Sequence, residues 1–112
     1  MQFRASHRNA PISPRKARLV VDLVRGKHVN DALQILRSIP LRGGYFVDKV
    51  VRSAMANADQ SLEADMESLT VARAWVDEGP TRRTGRARAR GRGSIIEHRT
   101  SHINILLDDG QG

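Results

Sequence analysis

Hydrophobic and polar positions recur along this chain at two different periods, and the changes of period divide it into elements. In Phe3–Arg8, Phe3 and Ala5 fall on one side and Arg4 and Arg8 on the other, the pattern of a short strand with one buried face. Ser13-Pro14 is a helix start, with Ser13 as N-cap and Pro14 at the first helical position. Ala17, Val20, Val21 and Val24 follow at helical spacing, and Gly26 closes the helix as the residue beyond its C-cap. A second, shorter helix is expected from Asn30 as cap through Ala32, Leu33, Ile35 and Leu36, ended by Pro40. Gly43-Gly44 reads as a flexible joint. A third helix is expected from about Tyr45 to Leu62, with Val47, Val50, Val51, Ala54, Met55, Ala58 and Leu62 as its apolar stripe. From Glu67 the period falls to two, with Leu69, Val71 and Trp75 on one face and Thr70, Ala72, Ala74 and Val76 on the other. Asp77-Glu78-Gly79-Pro80 breaks that strand. Alternation returns at Ile95 and is clear in Ile103, Ile105 and Leu107, opposite His102, Asn104 and Asp108.

Between these last two strands lies a stretch with no apolar pattern. Arg82 to Arg92 reads RRTGRARARGR, six arginines in eleven positions, and acids are absent from Gly79 through Ile96. An antiparallel hairpin is the simplest connection, and with roughly extended arms its tip would stand ~30 Å from the body. A loop of this length is more often functional or disordered than a plain connection. Six like charges with nothing to bury would stay disordered alone in water, so the segment calls for a polyanion, and nucleic acid is the obvious one.

Charge elsewhere supports that reading. The net charge is +7 over 112 residues, a length that suits one domain. Residues 1–21 carry +5, residues 22–78 carry −2, residues 79–96 carry +6 and residues 97–112 carry −2. A nearly balanced middle with positive flanks is what a nucleic-acid face requires. Arginine outnumbers lysine sixteen to three; arginine forks onto phosphate and stacks on bases, although a GC-rich genome or a warm habitat would also raise the ratio. With no cysteine, disulfides and cysteine-held metals are excluded. No apolar run could be a signal peptide or span a membrane, so a soluble intracellular protein is expected.

Catalytic arrangements are poorly supported. His98 and His102 would lie ~13 Å apart on one face of a strand, too far to share a metal. Ser101 and His102 point to opposite faces, and so do Asp77 and Glu78. Gly85, Gly91 and Gly93 do not fit a phosphate loop. Tyr45, Phe46 and Trp75 fit core or near-core packing better than base stacking. Arg15, Lys16 and Arg18 could be a solvated helix face, but with Arg4, Arg8 and the acid-free first 21 residues they favour binding. A DNA-binding basic arm is the first rival; a membrane-active segment lacks the apolar face it needs.

Several motifs resemble one family. Ile12-Ser13-Pro14-Arg15-Lys16-Ala17-Arg18-Leu19-Val20, followed by Val24-Arg25-Gly26-Lys27, is similar to the opening of the bacterial large-subunit ribosomal protein "L twenty-two" family. Ala54-Met55-Ala56-Asn57-Ala58 resembles its third-helix motif, and Val76-Asp77-Glu78-Gly79-Pro80 and Arg99-Thr100-Ser101-His102-Ile103 resemble the two ends of its hairpin. Gly91-Arg92 matches a step on the returning arm. The resemblance implies an α+β fold, three helices packed on a small antiparallel three-stranded sheet, with a long basic β-hairpin at about residues 77–100 projecting from a single domain. It implies a non-enzymatic, cytoplasmic ribosomal protein with no cofactor and no metal, present as a monomer within the ribosome. The implied partners are the large-subunit (23S-type) ribosomal RNA, neighbouring large-subunit proteins, and the nascent peptide near a hairpin tip that lines the exit tunnel. Carried over, the RNA-contacting set is Arg82, Arg83, Arg86, Arg88, Arg90 and Arg92 on the hairpin, and Arg99, Thr100, Ser101 and His102 on its returning arm. Arg15, Lys16, Arg18, Arg25 and Lys27 join from the first helix and the turn after it, beside Arg4 and Arg8 of the first strand. The sequence departs from the family near the tip, where Ala87 replaces a frequent proline and Thr84-Gly85 replace lysine and bulky apolar residues.

Overall fold

In the computed structural model, residues 1–87 and 93–110 are described, the side chains of 86, 87 and 93–95 excepted. The element order is β1 (Gln2–Ala10), α1 (Pro14–Val24), α2 (Val29–Ser38), α3 (Arg42–Asp59), a 3-10 turn (Met66–Ser68), β2 (Thr70–Glu78), β3 (Arg82–Ala87), β4 (Gly93–His98) and β5 (Ser101–Asp108). β1, β5 and β2 form an antiparallel sheet in the order β1-β5-β2, while β3 and β4 pair only with each other. This is the expected α+β fold.

One face of the sheet is buried under the helices. Ile103, Ile105 and Leu107 of β5 meet Val71, Ala74 and Val76 of β2 and Ala5 of β1, and Val20, Val21, Val24, Val47, Val51 and Ala54 cover them from α1 and α3. Strand faces in β2 differ from strict alternation. A bulge between Val71 and Arg73 inserts one residue against β5. Beyond it the phase reverses, so Ala74 and Val76 join Val71 in the core and Trp75 turns to the open face.

The helix boundaries also carry information. Ser13 caps α1 by accepting from the Lys16 N–H, and Gly26 follows with φ +81°, as expected. α2 begins two residues early: His28, not Asn30, is the N-cap, its Nδ1 accepting the Asn30 N–H at 3.2 Å while Nε2 meets the Glu67 carbonyl at 2.7 Å. α3 begins at Arg42 and ends by Gln60, three residues ahead of the expected span, and Leu62 stands outside it, exposed. Gly43 and Gly44 are therefore helical and buried rather than a joint. A Cβ on Gly43 would come within 2.9 Å of Val20 Cγ2, and one on Gly44 within 3.1 Å of the Leu36 carbonyl. The pair lets α3 press against α1 and α2.

Side chains from the helices close both edges of the sheet. Asn57 of α3 donates to the Arg4 carbonyl of β1 at 2.9 Å. On the other edge, Arg18 of α1 and Arg25, the residue that caps its C-terminus, donate to carbonyls of β2. Unpaired strand edges invite association with other chains, and here the carbonyls of Arg4, Ala74 and Val76 are used within the fold.

The chain is elongated: its extents are 64 × 24 × 17 Å and its radius of gyration is 17.2 Å, against about 13 Å for a compact chain of this length. Among the described residues neither β3 nor β4 packs extensively on another element, so the two-stranded ladder stands off the body.

Candidate nucleic-acid interface

The hairpin continues the β2–β5 ladder through a single irregular joint. Glu78 pairs with Ser101, Gly79 donates its N–H to the Thr100 carbonyl at 3.0 Å, and the next pair is Arg82 with His98. Pro80 and Thr81 thus face Arg99 alone, a two-against-one step at a residue with no N–H to give. Thr100 secures the joint by donating its hydroxyl to the Pro80 carbonyl at 2.7 Å, and Arg99 does so through Glu78 at 2.9 Å. Gly79 is required here, since a Cβ would run into the Thr100 hydroxyl.

Beyond the joint, β3 and β4 run in register from Arg82–His98 to Ala87–Gly93. Arg82 and Arg83 are exposed and take opposite faces of the ladder. Arg83 Nε lies 3.3 Å from Glu97 across the strands, with both side chains more than half exposed. Arg82 makes no ion pair among the described residues, and Thr84 Oγ1 meets His98 Nε2 at 2.9 Å. The side chain of Arg86, and Arg88, Arg90 and Arg92 altogether, lie outside the described residues.

The remaining sequence-predicted residues divide. Arg15, Lys16 and Lys27 are exposed and, among the described residues, unpaired with any acid. Arg8 is exposed at the end of β1 beside Asn9, whose N–H is accepted by His102 Nδ1 at 3.1 Å. Arg4 lies on the open face of the sheet, its guanidinium 5.4 Å from the Trp75 ring centre, with Arg73 at 5.3 Å. Arg18 and Arg25 are exposed but reach across to the edge of β2. Arg18 Nη2 reaches the Val76 carbonyl at 3.1 Å, and Arg25 gives two bonds to the Ala74 carbonyl, at 3.1 and 2.7 Å, and a third to Asp22. Ser101 is wholly buried and its hydroxyl donates to the Ile12 carbonyl at 2.6 Å, which places it in the body rather than on a surface.

Several of these groups meet at one groove of about 1420 Å³ between the hairpin base, α1 and the start of α3. Lys16, Arg82, Arg99 and Arg42 bring positive charge to it, and Leu19 and Leu41 give it exposed apolar wall. Glu97 is the one acid in its lining, on the hairpin side. The sequence reading did not include Arg42. Its signal was Gly43, spaced from Val47, Val50 and Val51 as a member of the same helical stripe, which would have started α3 one turn earlier. No group of His, Asp and Glu among the described residues is arranged to hold a metal ion. What the groove and the hairpin offer is fixed positive charge with apolar surface between, suited to phosphates and unpaired bases. The description of the family Ribosomal protein L22p/L17e matches residues 5–108 of the chain.

Proposed function

The chain belongs to the Ribosomal protein L22p/L17e family, which makes it a large-subunit ribosomal protein that binds ribosomal RNA, and from that premise we propose how it does so. The β3–β4 hairpin and the groove at its base form one RNA-binding surface. Arg82, Arg83 and Arg86 to Arg92 neutralise phosphate along the hairpin; Arg15, Lys16, Lys27, Arg4 and Arg8 extend the contact over the body. Arg99, Thr100 and His102 hold the joint that aims the hairpin, and Arg18, Arg25 and Ser101 act beneath it by fixing α1 and β5 in place. The protein works as one domain, a cytoplasmic monomer within the subunit. It holds converging RNA segments together during assembly, contacts neighbouring ribosomal proteins, and extends its hairpin along the exit tunnel to meet the nascent peptide near the tip. No chemistry is asked of it beyond binding.

The observation that carries this reading is the hairpin itself. Among the described residues it is a hydrogen-bonded ladder with no further layer packed on it, where Arg82 has no acid partner and Arg83 meets only the exposed Glu97. Six phosphate contacts give a slope of log affinity against log salt of about −4 to −5. Replacing Arg82, Arg83, Arg86, Arg88, Arg90 and Arg92 together by glutamine should abolish most of that slope on large-subunit RNA. It should also block incorporation into large subunits while leaving the thermal unfolding midpoint close to that of the parent. Undiminished salt dependence and normal incorporation would refute the proposal.

A further inference from the structure

Tyr45 is 60% exposed, although its neighbour Phe46 is buried and the chain has only four aromatic residues among Phe, Trp and Tyr. Its placement follows from the glycine pair. With Gly43 and Gly44 pressed on α1 and α2, the core side of α3 runs through Val47, Val50 and Val51, and Tyr45 is left on the outer side with Arg42, Lys49 and Arg52. The ring is nonetheless held. Phe46 meets it edge-on, centroids 5.4 Å apart at 72°, and the Lys49 ammonium sits 4.7 Å from its centre. Its hydroxyl makes no hydrogen bond among the described residues.

Two of the three cations around it are not neutralised by an acid among the described residues. Arg52 is paired with Asp48, but Arg42 and Lys49 have no carboxylate partner among the described residues. Arg42 stacks on Phe46, 5.4 Å from its centre, and also lines the groove at the hairpin base. Arg42 and Lys49 are seven residues apart, ~10 Å along the helix axis, with the Tyr45 ring between them. An exposed ring with one cation over it and a second against its neighbour Phe46, neither met by a carboxylate among the described residues, complements a stacked base with phosphates on either side. A duplex keeps its bases stacked on each other and offers no such face.

We propose that the outer face of α3 binds an unpaired nucleotide of RNA, with the base stacked on Tyr45 and the flanking phosphates against Arg42 and Lys49. The site extends the groove through Arg42 and rests on the RNA-binding reading above. It differs from the hairpin in requiring a single-stranded segment.

The test uses the full chain with a short single-stranded RNA oligonucleotide and with a duplex RNA of equal length, comparing the parent with Tyr45→Ala, Tyr45→Phe and Lys49→Gln. Tyr45→Ala should weaken single-strand binding by about tenfold and leave duplex binding and the salt slope unchanged, because no charge is removed. Tyr45→Phe should bind like the parent. Lys49→Gln should reduce the salt slope for the single strand by roughly 0.7. Photocrosslinking of the single strand should place a uridine adduct on Tyr45. The inference is overturned if Tyr45→Ala changes neither RNA, as it would if this face met a protein, or weakens both equally. In either case the hairpin glutamine variant still loses affinity and the RNA-binding reading stands. If the parent binds neither RNA, that reading fails as well.

Discussion

The arginines of α1 and those of β3 share a residue type and a charge, yet the fold uses them differently. Arg18 and Arg25 lie across the edge strand β2 and give their donors to the carbonyls of Val76 and Ala74. Arg82 and Arg83 stand on a two-stranded ladder, opposite His98 and Glu97. The difference is not in the side chains but in what lies within reach. An edge strand beside a helix leaves carbonyls unpaired, and a guanidinium spanning the gap satisfies them. A ladder with no layer packed on it uses its carbonyls internally or leaves them to water. Clustered charge therefore marks where a polyanion can bind, while the neighbouring backbone decides which arginines are left for it.

The sharpest way to break this contrast is Arg25→Ala. It removes two charge-assisted bonds to the Ala74 carbonyl and the pairing with Asp22, on a side chain 47% exposed. Hydrogen bonds from charged donors are worth about 1.5–3 kcal/mol, and with this exposure we expect a loss of about 1–2 kcal/mol in chemical denaturation. RNA affinity, measured where the variant is fully folded, should stay within about twofold of the parent, since one lost phosphate contact would cost more than that and lower the salt slope. A variant of unchanged stability and weakened RNA binding would place Arg25 with the hairpin arginines and dissolve the distinction.

Arg82→Gln is the complementary case. Arg82 has no acid partner among the described residues and lines the groove, so its loss should reduce the salt slope on large-subunit RNA by about 0.7–0.9 and leave the denaturation midpoint unmoved. If instead the midpoint fell and the slope held, the exposed guanidinium would be part of the fold after all.

How far the sequence revealed this depended on the kind of interaction. Period-two and helical patterns placed β1, β5 and the three helices because each buries one continuous face, and Ile103, Ile105 and Leu107 are all in the core as read. The hairpin was legible from charge and from the strands on either side of it. Trp75 was assigned to the wrong face because one inserted residue, the bulge between Val71 and Arg73, reverses everything beyond it. Nothing in the local composition signals that step. The start of α3 was read late because glycine is ambiguous between a joint and a close helix contact, and only the facing Val20 and Leu36 decide which. The carbonyl partners of Arg18 and Arg25 lie 58 and 49 residues away in sequence, beyond any local pattern, so the sequence shows the charge of these side chains but not the strand edge they reach. The exposure of Tyr45 has the same origin, since the close contact at Gly43 and Gly44 sets the face of α3 on which it falls.

Glu97→Gln probes the smallest effect and the subtlest part of the contrast. Among the described residues Glu97 is the acid facing the arginines of β3, 3.3 Å from Arg83, and both side chains are largely solvated at 53% and 68% exposed. An exposed pair of this kind contributes about 0.5 kcal/mol or less, so stability should be nearly unchanged. Its effect on binding has the opposite sign to that of substituting a hairpin arginine such as Arg82. Removing the carboxylate frees Arg83 and takes a like charge away from incoming phosphates, so affinity for large-subunit RNA should rise about two- to threefold at low salt and converge on the parent at high salt, where exposed charges are screened. A fall in affinity would mean that Glu97 holds Arg83 in its binding orientation. The hairpin would then resemble α1 more than its exposure suggests, with its arginines positioned by partners in the fold and not simply left over from it.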